Sequence, residues 1–251
     1  MDKAQIEAFF ARHERVCFQF SSGKDSAAVL WLLEEYWPQM DVVWCNPGNP
    51  YPETLEYMER VSKLVPRFYC VLGQQPESIA RHGWPVDVVP MEATQIGQGL
   101  SGRQVLPLRP FWECCTDNMW RPMQEFVKHG DYTAVIRGQK QSDCLKGPIA
   151  SGAVIDGIEY FYPIEDWNDA QVFAFLGEEL LPESYKRGLR SSLDCKNCTA
   201  YTSENSGRVA DLEHIDKQAW QEVTAVHLHL LDAIAAHTDA IRSCHATTAT
   251  I

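Results

Sequence analysis

The sequence lacks any apolar run of the roughly 20 residues that a membrane-spanning helix needs. Its first residues, MDKAQIEAFFARHERV, also lack the apolar core of a secretory signal peptide, so we expect a cytoplasmic protein without a membrane anchor. It has no internal repeat and no low-complexity tract. These absences leave an ordinary globular protein. With 45% hydrophobic and 22% charged residues, the 251-residue chain can bury a substantial core.

Positive charge is also scarce. The chain has 22 lysines and arginines against 34 aspartates and glutamates, for a net charge of −12. An acidic chain is repelled by the phosphate backbone, which disfavours unaided binding to DNA or RNA. The densest basic stretch is YKRGLR (185–190), so we expect nucleic acid to bind only through such a local patch or through a partner. The sequence leaves a homo-oligomer open.

Cysteine is abundant, but its pattern does not predict disulfides. Nine cysteines is an odd number, and a chain without an export signal should keep its thiols reduced. Cys17, Cys45 and Cys70 lie in apolar strands and are predicted to be buried structural thiols. Metal ligation or reduced, reactive thiols are the better interpretations of other cysteines.

Short apolar strands alternate with amphipathic helices along the first half of the chain. The pattern predicts strands at 16–20, 41–45, 67–73 and 133–138. Alternation of this kind indicates βαβ units. We therefore predict an α/β fold, an open parallel twisted sheet with helices on both faces. The segment AVIDGIEYFYPI is predicted to form a hairpin that turns at Asp156–Gly157.

The segment SSGKDS (21–26) stands between the first predicted strand and a helix, where open α/β sheets bind ligands. The start of a helix offers unpaired N–H groups and a partial positive charge, which both suit phosphate. Gly23 lets the backbone approach an anion, Lys24 adds a charge, and Asp25 either caps the helix or holds Mg²⁺. A well-capped turn with an exposed lysine is the alternative, but position and chemistry favour phosphate. The hydroxyl donors are Ser21, Ser22 and Ser26.

SSGKDS resembles the PP-loop of the adenine-nucleotide α-hydrolases, usually written SGGKDS. Three more segments resemble the phosphoadenosine-phosphosulfate (PAPS) reductase family. Asn46-Pro47-Gly48 with the following Pro52-Glu53-Thr54 resembles the D-T-G and P-E-T of this family. IRGQKQSD (136–143) resembles its basic loop, and FYPIEDW (161–167) resembles its P-I-x-D-W segment. The resemblance implies catalytic Lys24, Asp25 and Lys140. It implies a nucleotide site formed by Ser21, Ser22, Gly23, Lys24, Asp25, Ser26, Asn46, Gly48, Arg137, Gly138 and Gln139.

The adjacent Cys114 and Cys115, with Cys195 and Cys198 as a later C-x-x-C, resemble the iron–sulfur branch of that family, the adenylylsulfate (APS) reductases. The resemblance implies that these four cysteines hold a [4Fe–4S] cluster. Adjacent cysteines on a helix point about 100° apart, which suits a single tetrahedral ion poorly. A cubane offers four iron corners. Zinc and unligated core cysteines are the alternatives.

The resemblance divides the chain into two parts. Residues 1–185 would form the PP-loop nucleotide-binding α/β domain, in which residues 74–110 show no clear period and are expected to be an irregular insertion or lid. Residues 186–251 would carry the C-x-x-C loop and a long C-terminal helix. We expect this cluster-binding, helical extension to pack on the same domain.

The retained Lys24-Asp25 separates the reactions open to such a protein. Sulfonucleotide reductases usually lose this dipeptide, whereas family members that keep it typically use ATP with Mg²⁺ and release pyrophosphate while adenylating a substrate. The leading hypothesis is therefore ATP-dependent adenylation and sulfur transfer. The cluster or Cys144 would deliver the sulfur, taken from a donor protein. An ordinary loop thiol is the alternative interpretation of Cys144.

The second hypothesis is a thiol-dependent reductase that releases sulfite from APS or PAPS. Such reductases carry their catalytic cysteine in a C-terminal tail, as E-C-G-L-H, and here the tail reads Ser243-Cys244-His245. Cys244 would attack the sulfate sulfur, and a thioredoxin-like dithiol protein would close the cycle. An idle cysteine in a frayed tail is the alternative. A third hypothesis is a non-catalytic nucleotide or redox sensor.

Overall fold

The computed structural model describes residues 3–143, 146–190, 194–204 and 207–246. The strands are β1 (Val16–Gln19), β2 (Met40–Asn46), β3 (Phe68–Leu72), β4 (Trp84–Val86), β5 (Leu108–Pro110), β6 (Ala134–Ile136), β7 (Val154–Ile155) and β8 (Ile158–Phe161). The helices are α1 (Lys3–Arg12), α2 (Lys24–Leu32), α3 (Pro52–Leu64), α4 (Gln75–His82), α5 (Gln95–Ser101), α6 (Phe111–Cys115), α7 (Arg121–His129), α8 (Asp169–Leu180), α9 (Glu183–Lys186), α10 (Arg208–Ile215) and α11 (Lys217–Ala246).

The main sheet has the order β3-β2-β1-β6-β8-β7. Every pairing is parallel except that of β7 with β8. The predicted α/β class with a mostly parallel sheet is confirmed. The predicted hairpin is also present, because Asp156 (φ 51°) and Gly157 (φ 80°) both adopt the left-handed conformation that a tight two-residue hairpin turn requires.

The chain folds as two compact units, and the first contains Met1–Gly73 and Met119–Asp194. Its core lies between the main sheet and the helices around it, and Phe9 on α1 stacks on Phe161 of β8 with ring centroids 4.1 Å apart. Pro38 predicts that the helix after the PP-loop runs from Asp25 or Ser26 to about Trp37, but the helix in the structure is shorter. It ends at Leu32 and is followed by a 3₁₀ helix, Glu34–Gln39. The indole of Trp37 donates to the carbonyl of Leu30 at 2.9 Å, which satisfies one of the acceptors that a helix end leaves open.

The second unit contains Gln74–Asn118 and Cys195–Ile251. Residues 74–110, expected to be irregular, form α4, α5 and a two-stranded parallel sheet of β4 and β5. Elements of three to eight residues are too short to show a clear period in the sequence. Val86, Leu108 and Val226 are buried together, so the long helix α11 supplies part of this core.

The helix α11 is 30 residues long. Neither it nor any other helix within the described ranges is long and apolar enough to cross a membrane. Val223 and Val226 are buried, whereas Leu228 and Leu231, a few residues further on, are exposed. Only one side of α11 therefore packs within its unit.

Candidate nucleotide-binding and thiol sites

The PP-loop connects β1 to α2 in the first unit. Ser22 adopts a left-handed conformation (φ 62°), and Gly23 is the residue that precedes the first turn of α2. The hydroxyl of Ser26 donates to the carbonyl of Gly23 at 3.0 Å and accepts from the amide of Ser21 at 3.3 Å, which closes the loop on itself. No side chain caps α2, so its first amides point towards the position where an anion would bind.

A compact network of ion pairs surrounds the start of α2. The ammonium of Lys24 lies 2.9 Å from a carboxylate oxygen of Asp25 and 3.0 Å from one of Asp169. The ammonium of Lys140 lies 2.7 Å from Asp25 and 2.7 Å from Asp143. Both lysines are buried. Asp25 therefore bridges the two lysines and does not cap the helix.

The network keeps Lys24 and Asp169 charged. Burial by itself would lower the pKa of Lys24, but the hydrogen bonds and charges of Asp25 and Asp169 outweigh burial and raise it. Burial would raise the pKa of Asp169, but Lys24 and Lys140 lower it. Because the pKa of Asp169 is depressed, its stabilising contribution is lost only as the pH falls through that lowered value. Asp25, Asp143 and Asp169 thus surround the two lysines, and an entering polyphosphate must displace these side chains from them.

Gly138 allows the loop after β6 to pack against the PP-loop backbone. A Cβ atom at this position would lie 2.7 Å from the carbonyl carbon of Asp25 and 2.7 Å from the amide nitrogen of Ser26. Contacts this close to backbone atoms force a shift of the helix start. Gly138 therefore helps to bring Lys140 next to Lys24.

Other predicted nucleotide-binding residues lie on neighbouring strands. Asn46 is the last residue of β2, and Arg137 directly follows β6; both strands pair with β1, so these residues and the PP-loop lie at one edge of the sheet. The Asn46 carboxamide accepts from the amide of Gly48 at 2.9 Å, and Gly48 has a positive φ of 101°. Arg137 donates to the carboxamide of Gln19 at 2.7 Å. The Gln139 side chain is hydrogen-bonded to the backbone of a nearby glycine, Gly147, at 2.9 Å.

Three residues of this site were not predicted from the sequence. Asp143 and Asp169 complete the ion-pair network, and the ring of Tyr185 has its centroid 6.0 Å from the ammonium of Lys24. The sequence places Asp169 at the start of a helix, where an acidic residue is common for local reasons. Its contact with Lys24 spans more than half the chain, so no local pattern signals it.

The four cysteines of the predicted cluster all belong to the second unit. Cys114 and Cys115 end α6 and are followed by a π-helical turn, Thr116–Trp120, a rare conformation that is frequent at functional sites. All four thiols are free of disulfides, and Cys114 and Cys198 are buried. Within the described ranges, no three His, Cys, Asp or Glu side chains are arranged to hold a metal ion.

Both tandem cysteines nevertheless lie close to the C-x-x-C segment. Cys114 is close enough to Cys198 to help raise the pKa of that thiol, and the Cys115 thiol lies 3.5 Å from the hydroxyl of Tyr201. The amide of Cys198 donates to the carbonyl of Cys195 at 3.3 Å, which folds the C-x-x-C into a turn. Asp87 accepts from the amide of Tyr201 at 2.7 Å and so holds the segment that follows.

The thiols of Cys114 and Cys198 have a shared electrostatic setting. Burial raises the pKa of the Cys114 thiol, although the buried Arg109 works against this rise. Burial also raises the pKa of Cys198, and Arg208 opposes it. Buried thiols of this kind ionise when a metal binds them. The donor atoms, two pairs of thiols within one unit, are of the kind that iron–sulfur clusters use.

The other cysteines have separate positions. Cys144, a predicted catalytic residue, lies outside the described residues. Cys244 is exposed near the end of α11, in the second unit, whereas the PP-loop belongs to the first. The prediction that the strand cysteines are buried holds for Cys17 and Cys45 but is wrong for Cys70, which is exposed because it lies on the edge strand β3.

Comparison with known proteins agrees with this geometry. Residues 15–201 match the phosphoadenosine phosphosulfate reductase domain. The chain belongs to this family. Membership in the PAPS reductase family accounts for the α/β fold with its PP-loop, and it indicates an enzyme of the sulfonucleotide or PP-loop type. No curated protein matches the chain.

Solved structures give the same fold. The phosphoadenylyl-sulfate (PAPS) reductase of Candida auris, solved as a phosphate complex, superposes with a TM-score of 0.53 at 17% identity, covering 75% of this chain and 85% of the other. At this identity the likeness concerns the fold alone. Yeast FAD synthetase, solved with FAD, gives a TM-score of 0.37 at 13% identity over 64% of this chain and 48% of its own, which carries no argument.

Proposed function

We propose that this member of the PAPS reductase family is an ATP-using iron–sulfur enzyme, which adenylates an acceptor and transfers sulfur to it. The observation that carries the proposal is the buried Lys24 at the start of α2. A reductase that binds a ready-made adenylate needs no cation for a leaving pyrophosphate. Here the ion pairs of Asp25 and Asp169 keep Lys24 charged, and the buried Lys140 provides a second cation.

The start of α2 accounts for the first half-reaction. Its uncapped amides and Lys24 bind the phosphates that depart as pyrophosphate. The acceptor attacks the α-phosphorus, the bond from that phosphorus to the bridging oxygen breaks, and negative charge grows on the leaving group. Lys24 and Lys140 stabilise this charge as it develops. Asp25 is the residue that would hold a Mg²⁺ ion, because magnesium prefers carboxylate oxygen, and the ion would offset negative charge on the phosphates.

The cysteines of the second unit supply the sulfur chemistry in this proposal. Cys114, Cys115, Cys195 and Cys198 are the residues that would hold the [4Fe–4S] cluster. When bound, the cluster supplies electron transfer and sulfur chemistry. The hydrogen bond from Asn118 to the Cys114 sulfur, at 3.7 Å, and the contact of Tyr201 with Cys115 would orient these two ligands.

One observation favours a second candidate, a sulfonucleotide reductase. Cys244 is exposed, as a thiol that must exchange with a thioredoxin-like protein has to be. It lies within α11, in the helix rather than beyond its end. The reductase requires this thiol to reach the sulfonucleotide, whereas the ATP-using enzyme does not need it.

We expect MgATP to protect the anaerobically purified protein against heat more strongly than APS or PAPS at equal concentration. A ligand that binds only the folded state at 100 times its Kd adds about 2.7 kcal/mol to the free energy of unfolding. Lys24 and Lys140 can bind the pyrophosphate part of ATP, which APS lacks. Thermal melts with each nucleotide measure the difference. Stronger protection by APS or PAPS would favour the reductase, and protection by ATP without any turnover would favour the sensor.

Gly138→Ala is the matched variant for this experiment. The added methyl group displaces the start of α2, so protection by MgATP should be lost and stability should fall by about 1–3 kcal/mol. Gly99→Ala is the control, since a Cβ atom at Gly99 has nothing within 4 Å. The control should keep full protection. Equal protection in both variants would mean that the nucleotide binds elsewhere.

A further inference from the structure

Two arginines are buried in the second unit beside the thiols. Arg109 on β5 and Arg208 at the start of α10 are each only 5% exposed. A guanidinium is charged at every relevant pH, and a buried charge is unfavourable unless it is paired and hydrogen-bonded. The partners of these two groups therefore need to be accounted for.

Their N–H groups are incompletely satisfied. Arg109 donates to Asp117 at 3.2 Å and to Ser78 at 2.7 Å, but its Nε makes no hydrogen bond in good geometry. Arg208 donates from Nη2 to the carbonyl of Cys198 at 2.5 Å. Its Nε and Nη1 make no hydrogen bond within the described part of the chain, and no carboxylate there forms an ion pair with it.

Each guanidinium lies within electrostatic reach of one thiol. Arg109 lowers the pKa of the Cys114 thiol, and Arg208 lowers that of the Cys198 thiol, against the opposing effect of burial. Cys114 also helps to raise the pKa of Cys198, although the two cysteines come from segments more than 80 residues apart. Each buried guanidinium thus lies close to one of the two buried thiols of the predicted cluster, and the Nη2 of Arg208 directly contacts the Cys198 backbone.

We propose that Arg109 and Arg208 are the counter-charges of an anionic iron–sulfur cluster, with their unpaired N–H groups available to its sulfur atoms. This inference rests on the proposed function, which assigns the cluster. An oxidised [4Fe–4S] cluster with four cysteinates is anionic. The charge of Arg208 forms no ion pair with a carboxylate of the described residues, and that of Arg109 is shared with Asp117. Both arginines are positioning residues, because they act on the cluster and not on the substrate. Nearby positive charge stabilises an added electron, so they raise the reduction potential of the cluster.

The test compares wild type with Arg208→Met, which keeps the apolar stem and removes the charge and the N–H groups. The anaerobically prepared variant should release iron to a chelator about tenfold faster. Its midpoint potential should be more negative than that of wild type. Arg208→Lys keeps the charge and should largely restore the potential. Arg103→Met is the control, because Arg103 is exposed in the same unit, and it should change neither quantity.

The outcomes separate this inference from the proposed function. If wild type holds zinc, or no labile sulfide, both are overturned. If wild type holds the cluster while Arg208→Met matches its iron release and midpoint potential, only this inference is overturned. If Arg208 is needed solely for folding, Arg208→Met should lower the melting temperature of loaded and cluster-free protein equally and leave the midpoint potential unchanged. That result would also overturn this inference. If Arg208→Met does not fold, Arg208→Gln, which keeps an N–H donor without the charge, is measured in the same way.

Discussion

Replacing Lys24 by alanine should lower the rate of pyrophosphate release from ATP by about 10²–10³-fold, because a buried cation that stabilises the leaving group contributes mainly in the transition state. The loss should appear in kcat as well as in kcat/KM. Steady-state pyrophosphate assays under anaerobic conditions measure both. The carboxylates of Asp25 and Asp169 would then keep Lys140 but lose Lys24 as an ion-pair partner, so the melting temperature is measured alongside.

Two variants serve as controls for Lys24→Ala. Lys63→Ala removes an exposed lysine of α3 that pairs with Glu59 on the same helix, and it should leave the rate unchanged. Cys244→Ser should also leave pyrophosphate release intact. An increase in KM without a fall in kcat would indicate that Lys24 only helps to bind an adenylate, as in a reductase. Sulfite formation that stops in Cys244→Ser would overturn the ATP-using account.

Cys114→Ser and Cys198→Ser should each lose most of the cluster, since a serine hydroxyl is a poor ligand for iron. Anaerobic wild type should contain about four iron atoms and four labile sulfides per chain. Both variants should also unfold at lower temperature than loaded wild type. The cluster would join residues 74–118 to residues 195–251 within the second unit, so its binding energy contributes to folding.

The exposed thiols Cys70 and Cys244 give the matched controls for this experiment. Cys70→Ser and Cys244→Ser should retain the iron and sulfide of wild type and its melting temperature. One zinc ion per chain, without labile sulfide, would contradict the cluster. So would iron that remains in Cys114→Ser and Cys198→Ser at the wild-type level.

Much of the first unit could be predicted from the sequence, because its elements are long enough to show their period. The buried strand β1, the helix α2 and the turn at Asp156–Gly157 follow from local residue patterns alone. The end of α2 does not follow, since Pro38 predicts a later stop whereas the helix ends at Leu32. A tertiary hydrogen bond from Trp37 accompanies that earlier end, and no local rule contains it.

The candidate site was predictable where it is local in sequence and not where it depends on tertiary contacts. The PP-loop residues lie within six positions, and their chemistry at a strand-to-helix junction indicates phosphate. Asp169 reaches Lys24 only in the folded chain, at 3.0 Å. Likewise, Arg109 and Arg208 look like ordinary surface residues in the sequence, because composition does not tell a buried guanidinium from an exposed one.

Release of pyrophosphate from ATP at the PP-loop is the reaction that defines the proposed function. To test it, anaerobically purified, cluster-loaded protein is incubated with ATP and Mg²⁺. In a parallel reaction it is incubated with APS or PAPS and a reductant, either reduced thioredoxin or dithiothreitol. Pyrophosphate and sulfite are assayed in each reaction. We expect the protein to release pyrophosphate from ATP in a reaction that requires Lys24 but not Cys244. We expect it to release no sulfite from APS or PAPS. Sulfite from APS or PAPS, with no pyrophosphate from ATP, would contradict the proposed function.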